Sequence, residues 1–373
     1  MGRRRRGRAR GRVALAVLTA ALVGGTLSAA SAAMAAPRPP GALARQPAIS
    51  AARCARNRAA GTITFASPFG YDASVGILDV EEAIRLGYFS ALCLSVDFVG
   101  SAENPYALAS SGAVTMTGEG SAADFLQAVA TGSHLTAIAT FGDVSDYALL
   151  TQPTIHNLRQ LAGKTLAYHG TRLPMALTEM LQAAGVNLSR VDLVSDKSYD
   201  PFLLTEGKFD ALQAYRSNEP ITLRAAHKAF REYVPSSFGV RGTFNVQVVN
   251  TTFLRSHRAA VTDFLRAELH AFDYCATHAV TCVDGEAAAA RAVGVPFQRA
   301  HSITEWRFEV ALAEQHHLPG AGIGVQSFAE WRPEAAALLA HHIVTHLPPL
   351  SSVEDTALAA SLYQGTQLRW PGS

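Results

Sequence analysis

Three short segments carry most of the polar chemistry of this chain: Ser67-Pro-Phe-Gly-Tyr-Asp72, Gly118-Glu-Gly-Ser-Ala122 and Tyr215-Arg-Ser-Asn-Glu-Pro220. Each follows an apolar run and mixes turn formers with aromatic or carboxylate side chains, a combination suited to recognising a small molecule. Phe69 and Tyr71 offer stacking faces and Asp72 a polar contact; alternatively, Pro68 and Gly70 only shape the loop and the rings pack inward. Gly118 and Gly120 let backbone N–H groups approach a ligand, and Ser121 stands where a helix begins. Glu119 would repel an anion there but would accept from amino and ring N–H groups; the bland alternative is an N-cap loop. Asn218 and Glu219 form a further polar pair, with Glu219 either accepting from a ligand or tying backbone N–H groups at a hinge. Tyr168, His169, Gly170 and Thr171 follow an apolar run and would close over a ligand, with Phe141 and Asp143 facing them. An aromatic at a strand end is more often core than platform.

The motifs of bond-making chemistry are missing from the sequence: it has no Gly-x-Ser-x-Gly elbow, phosphate loop or His-Glu-x-x-His. Neighbouring residues on a helix point in different directions, so the pairs His316-His317 and His341-His342 read as surface histidines. Without a Cys-x-x-Cys or a compact His/Cys cluster, neither a metal nor another cofactor is expected.

Those segments need strands to end at them. Strand and helix patterns alternate, which predicts an α/β architecture with a mostly parallel sheet. Strands are expected at 62–66, 94–99, 114–117 and 135–141, with helices at 77–86, 105–110 and 122–131. A second set follows, with strands at 165–168, 191–194 and 211–215 and helices at 174–184 and 199–205. Residues 244–250 alternate like a strand returning to the first set, and the chain beyond 252 reads as helical, with its last long helix over 333–345. Ligands of open α/β sheets sit beyond the carboxyl ends of the strands, which is where the three segments fall.

The chain has 373 residues, 49% hydrophobic and 17% charged, enough for two full cores. Seven arginines between Arg3 and Arg12 precede an apolar run and the small-residue stretch Ser31-Ala-Ala-Met-Ala-Ala36, the pattern of an export signal. An uncleaved anchor helix is the alternative. Without those arginines the net charge falls from +2 to about −5, which argues against nucleic acid as a partner. Residues 1–36 are therefore assigned to a signal peptide and 37–61 to a flexible leader, placing the protein in the periplasm or at the cell surface. The four cysteines suit an exported chain: Cys275 and Cys282 as a local bridge, and Cys54 with Cys93 as a second. A lipid anchor at Cys54 is disfavoured because Arg53 stands where a small residue belongs.

Leu204-Thr-Glu-Gly-Lys-Phe-Asp-Ala-Leu-Gln-Ala-Tyr215 repeats the helix–glycine–strand layout of Leu108-Ala-Ser-Ser-Gly-Ala-Val-Thr-Met-Thr117 about a hundred residues earlier. With Ile63-Thr-Phe-Ala-Ser-Pro-Phe69, Ala83-Ile-Arg-Leu-Gly-Tyr-Phe89 and Leu161-Ala-Gly-Lys-Thr-Leu-Ala-Tyr-His-Gly170, this order resembles the solute-binding subunits of ABC importers. The resemblance is to the group that binds sulfonates, nitrate and thiamine-pyrimidine precursors, and it spans residues 62–345. The Asn218-Glu219-Pro220 turn is most similar to that of the pyrimidine-precursor members. The resemblance implies a type II periplasmic-binding-protein fold with a two-strand hinge and a helical C-terminal part. Lobe 1 would comprise 62–150 and 245–350, lobe 2 would comprise 151–244, and 351–373 would be a tail. It implies a monomer that hands a small molecule, an aminopyrimidine before a sulfonate or nitrate, to a permease driven by an ATPase. Only Arg172 and Arg216 lie near the expected strand ends to greet an anion. The pyrimidine-synthase relatives of this fold carry a cysteine-rich metal motif that this chain lacks, so no enzymatic activity of that type is expected.

Overall fold

The computed structural model describes residues 49–371. The expected export signal and the first part of the leader lie outside the described residues. Among those described, no helix is long and apolar enough to cross a membrane.

The first half of the described chain alternates as expected: α1 (Ala51–Arg58), β1 (Thr62–Ala66), α2 (Leu78–Arg85), α3 (Tyr88–Ala91), β2 (Ser95–Val99) and α4 (Pro105–Ser111). It continues through β3 (Met116–Glu119), α5 (Ala122–Ala130) and β4 (Leu135–Gly142). The second lobe holds β5 (Tyr147–Thr151), β6 (Thr165–Tyr168), α6 (Met175–Ala183), β7 (Asp192–Ser195), α7 (Phe202–Thr205), β8 (Ala211–Tyr215), α8 (Glu219–Ala225) and β9 (Arg231–Tyr233). The chain then returns as β10 (Phe244–Asn250) and runs into α9 (Thr251–Thr277), α10 (Ala279–Ala292), α11 (Arg299–His316) and α12 (Phe328–Ala340). It finishes with α13 (Thr356–Ala360) and the small hairpin β11 (Tyr363–Gln364) and β12 (Gln367–Leu368).

Two five-stranded sheets result, ordered β2-β1-β3-β10-β4 and β7-β6-β8-β5-β9. In the first, β1 runs parallel to β2 and β3, while β10 is antiparallel to both β3 and β4. In the second, β6 is parallel to β7 and β8, and β5 is antiparallel to β8 and β9. Every residue of β4 and β5 is buried, as expected of strands covered on both faces. The chain crosses between the sheets twice, through 143–146 and through 239–243. At Gly242 the crossings touch: a Cβ there would sit 2.9 Å from the Cβ of Ser145 and 3.2 Å from its backbone nitrogen.

The first core gathers Phe65, Phe89 and Phe264 face to face, with centroids 4.8–6.0 Å apart, and Phe141 against Phe272 at 5.9 Å. Burial of these rings is its main source of stability. Both expected disulfides are present, Cys54–Cys93 and Cys275–Cys282.

Five expectations are corrected. Residues 51–58 are not flexible: α1 is capped by Ser50, bridged through Cys54, and tied by Arg53 and Asn57, which donate to Asp263 Oδ2 at 2.8 and 2.7 Å. Strand β5 starts at Tyr147 and pairs in the second sheet, so the second lobe begins there and not after residue 150. Pro220 does not close a turn; it occupies the first turn of α8, where its missing N–H is harmless. Helix α12 starts at Phe328, not at Pro333, because Ser327 and Glu330 form a capping box that tolerates the later proline. Residues 351–373 are not a loose tail through their described length, since Leu358, Ala359 and Leu362 are buried in the first core.

Candidate functional site

The carboxyl ends of β1, β3 and β8 converge where the sheets face one another, and a cavity of about 70 Å³ lies between them. Phe69, Asp72, Gly120, Ser121, Tyr215 and Asn218, all expected from the sequence, line it. Each arrives by a separate local device. Phe69 is placed by a turn in which its N–H donates to Ser67 Oγ at 3.1 Å, and Ser101 N–H donates to its carbonyl at 2.7 Å. Ser121 caps α5, its hydroxyl accepting from Asp124 N–H while Asp124 Oδ2 accepts from Ser121 N–H at 3.0 Å. Gly118 is required by packing, because a Cβ would fall 1.9 Å from Oε1 of the buried Gln247.

The other expected residues are elsewhere. Tyr71 leans on Phe98, ring centroids 6.0 Å apart, and does not line the cavity. Phe141 is fully buried in the first core, so it is a packing residue and no platform. Tyr168 packs half-buried against the second lobe's core. Glu119 ends β3, and its side chain lies outside the described residues. Glu219 is 1% exposed and turns back on its own turn: Oε2 accepts from Tyr215 N–H at 2.8 Å. Burial, with the Asp72 charge adding to it, lifts Glu219 to about 7 despite hydrogen bonds that oppose the shift. Of the two roles open in the sequence, this contact belongs to the turn tie.

His169, Gly170, Thr171 and Arg172 line a second cavity of about 300 Å³ on the far side of Tyr147 and Tyr215. Those tyrosines are direct cross-strand partners, their rings 5.1 Å apart, and they divide the cleft into an inner and an outer chamber. Arg216 lies over the Phe308 ring at 5.3 Å and does not line the inner chamber.

Sequence reasoning missed Asp146, Glu305, Glu309, Tyr147 and Asn245. Glu309 Oε2 accepts from Val75 N–H at 2.6 Å and Ser74 Oγ at 2.8 Å, and burial raises it to about 7. Asp146 Oδ2 accepts from Ser217 Oγ at 3.0 Å, while burial and then the Glu309 charge push the carboxyl well above the usual range. Glu305 is raised by burial and by facing Asp72, with which it pairs carboxyl to carboxyl. The signal was available on α11: Glu305 and Glu309 share a stripe with the buried Ser302, Trp306, Val310 and Ala313, where carboxylates have no reason to be unless something meets them.

Among the described residues, the one trio of metal-type donors close enough to share an ion is Glu82 with Cys275 and Cys282. Those sulfurs are joined in a disulfide, so the trio is not a metal centre.

No curated protein matches the chain. Among solved structures, it is similar to the ligand-binding component of an ABC-type import system from Staphylococcus aureus with zinc bound. The TM-score is 0.59 at 10% identity, over 80% of this chain and 97% of that one. The periplasmic aliphatic sulphonate binding protein from Escherichia coli gives 0.57 at 13%, over 83% and 94%. A desulfurization enzyme gives 0.55 at 12%, over 80% and 98%. Likeness at these identities speaks to fold: two lobes of the type II periplasmic-binding-protein kind, a two-strand hinge and a helical C-terminal part. The family model described as NMT1/THI5 like matches residues 81–281, more than half of the sequence, and the chain belongs to that family.

Proposed function

We propose that this protein is an extracytoplasmic solute-binding protein that presents a small molecule to the permease and ATPase of an ABC importer, acting as a monomer. The observation that carries this reading is the inner chamber. It is walled by residues of both lobes, with Phe69 of the first meeting Tyr215 of the second edge to face at 6.2 Å. Lobes that touch across a crevice beside a two-strand hinge suit closure around a ligand.

An aminopyrimidine or a similar flat heteroaromatic is the preferred ligand. The rings of Phe69, Tyr147, Tyr215 and Phe244 suit a flat partner, and the carboxylates of the lining accept from amino and ring N–H groups. A sulfonate or nitrate is the second choice. Two neighbours are ABC-import or sulfonate-binding proteins by name, yet an anion here would face carboxylates with no lysine, arginine or histidine in the lining. An enzymatic role on this fold has less support: all four cysteines are in disulfides, so none offers a thiol nucleophile.

Calorimetric titration of the purified protein with aminopyrimidines, alkanesulfonates and nitrate tests both levels. Saturable one-to-one binding of an aminopyrimidine is expected. Tight binding of a sulfonate with no response to pyrimidines overturns the ligand ranking, and a product appearing from any bound compound overturns the binding-only role.

A further inference from the structure

Four carboxyl groups reach the inner chamber, and three of them, Asp146, Glu305 and Glu309, are 9%, 5% and 3% exposed. The lining holds no basic side chain. Behind it the balance stays negative, with Asp72 and, on α2, Glu81 and Glu82 all acting on Glu286 of α10. Two cationic or protonatable groups stand nearby. His301 Nε2 lies 3.7 Å from Glu305 and is held towards its neutral form by burial. Arg216 acts on Asp146 but is turned onto the Phe308 ring.

Two polar oxygens in the lining are left without a protein partner. Oδ1 of Asp146 and Oδ1 of Asn245 are both buried and unpaired, and their residues are more than nine-tenths buried in the chamber wall. A buried polar oxygen in that state calls for a hydrogen-bonding partner. The carboxylates are spread around the chamber and do not converge on a point, as the absence of any cleft trio with metal-binding spacing shows for the described residues. Carboxyl groups that can ionise on meeting a positive charge, framed by aromatic faces, suit a weakly hydrated organic cation. The 70 Å³ of the chamber favours a compact one.

We propose that the ligand enters the inner chamber as a compact organic cation, a protonated amino-heterocycle or an alkylated ammonium, that is met by Asp72, Glu305, Glu309 and Asp146. This rests on the solute-binding reading and specifies the charge of the solute. Before the ligand arrives, Glu305 holds a proton that Asp72 accepts. The arriving positive charge takes over that role, and the proton leaves to solvent. Affinity therefore rises with pH, up to tenfold per unit for each proton released. Glu219, which also acts on Asp146, adds to the same trend without touching the ligand.

The test is a thermal-shift screen of the purified full chain against metabolites spanning organic cations, neutral compounds and anions. It includes choline and its uncharged isostere 3,3-dimethyl-1-butanol as a matched pair. Hits are titrated by calorimetry at pH 6, 7 and 8 in phosphate and Tris buffers. The expected result is a cationic hit that binds at least tenfold tighter than its neutral isostere. It should tighten three- to tenfold per pH unit and release protons, and Asp146→Asn should weaken it at least tenfold while still unfolding in one cooperative transition. If only neutral or anionic compounds bind, or if the cation binds no better than its isostere, the cation inference falls and the solute-binding reading stands. If no class binds, both fall.

Discussion

Glu219→Gln isolates one buried carboxyl whose folded state differs from its unfolded state by a known sign. Burial lifts this group from 4.5 to about 7, so the folded protein keeps a proton that the unfolded chain has lost. Stability from this group is therefore complete below the unfolded value, declines as pH rises, and levels off above the folded value. Integrating the two titrations gives a cost of about 1 kcal/mol at pH 5 and about 3 kcal/mol at pH 8, a difference of about 2 kcal/mol. Glutamine preserves the acceptor that Tyr215 N–H uses, 2.8 Å away in the wild type, and does not titrate. Urea unfolding of both proteins at pH 5, 6, 7 and 8 reads the difference directly. The variant should gain about 2 kcal/mol relative to wild type between the ends of that range, with unchanged m-values. Because Glu219 does not line the chamber, ligand affinity should change by less than about threefold, roughly 0.6 kcal/mol. Parallel stability curves for the two proteins would show that the carboxyl is ionised in the fold and that the linkage is wrong. A hundredfold loss of affinity would return Glu219 to the ligand.

Three further outcomes are expected. Gly118→Ala forces a methyl group into Gln247, which donates to Glu268 at 2.6 Å, and should cost about 1–3 kcal/mol in urea unfolding together with weaker ligand binding. The double variant Cys54→Ser and Cys93→Ser opens a link between residues 39 apart and should cost about 4 kcal/mol on the loop-entropy estimate, with early amide exchange in α1. Phe141→Ala should lose about 3–5 kcal/mol of stability and leave ligand affinity within twofold, whereas a platform residue would show the reverse.

The alternation of strands and helices was legible because glycines and prolines punctuate it at the right places, and β1, β6, β8 and β10 lie where their apolar runs suggest. Strand β5 was not: Tyr147-Ala-Leu-Leu-Thr151 is a short apolar run straight after a crossing, and five residues cannot tell a strand from a linker by periodicity. The site was half legible. Segments rich in glycine and aromatics at strand ends disclosed Phe69, Gly120, Ser121 and Tyr215, because turn chemistry is local. Glu305 and Glu309 come from a helix nearly two hundred residues further on, and only tertiary packing turns their face inward. Phe141 misled for a related reason: a strand covered on both faces hides its aromatic whichever end it occupies.

The placement of β10 at the heart of the first sheet has a consequence for the order of assembly. The second sheet is built from one contiguous stretch, 147–233, so its contacts are short-range and it can form as soon as that stretch is available. The first sheet cannot close when its own strands have been made, because β3 and β4 do not pair with each other and wait for a strand more than a hundred residues downstream. Until β10 arrives, both present open edges, the most association-prone surface a half-made α/β protein can show. During synthesis, the second lobe can therefore finish first, and the first lobe closes only once β10 has been made.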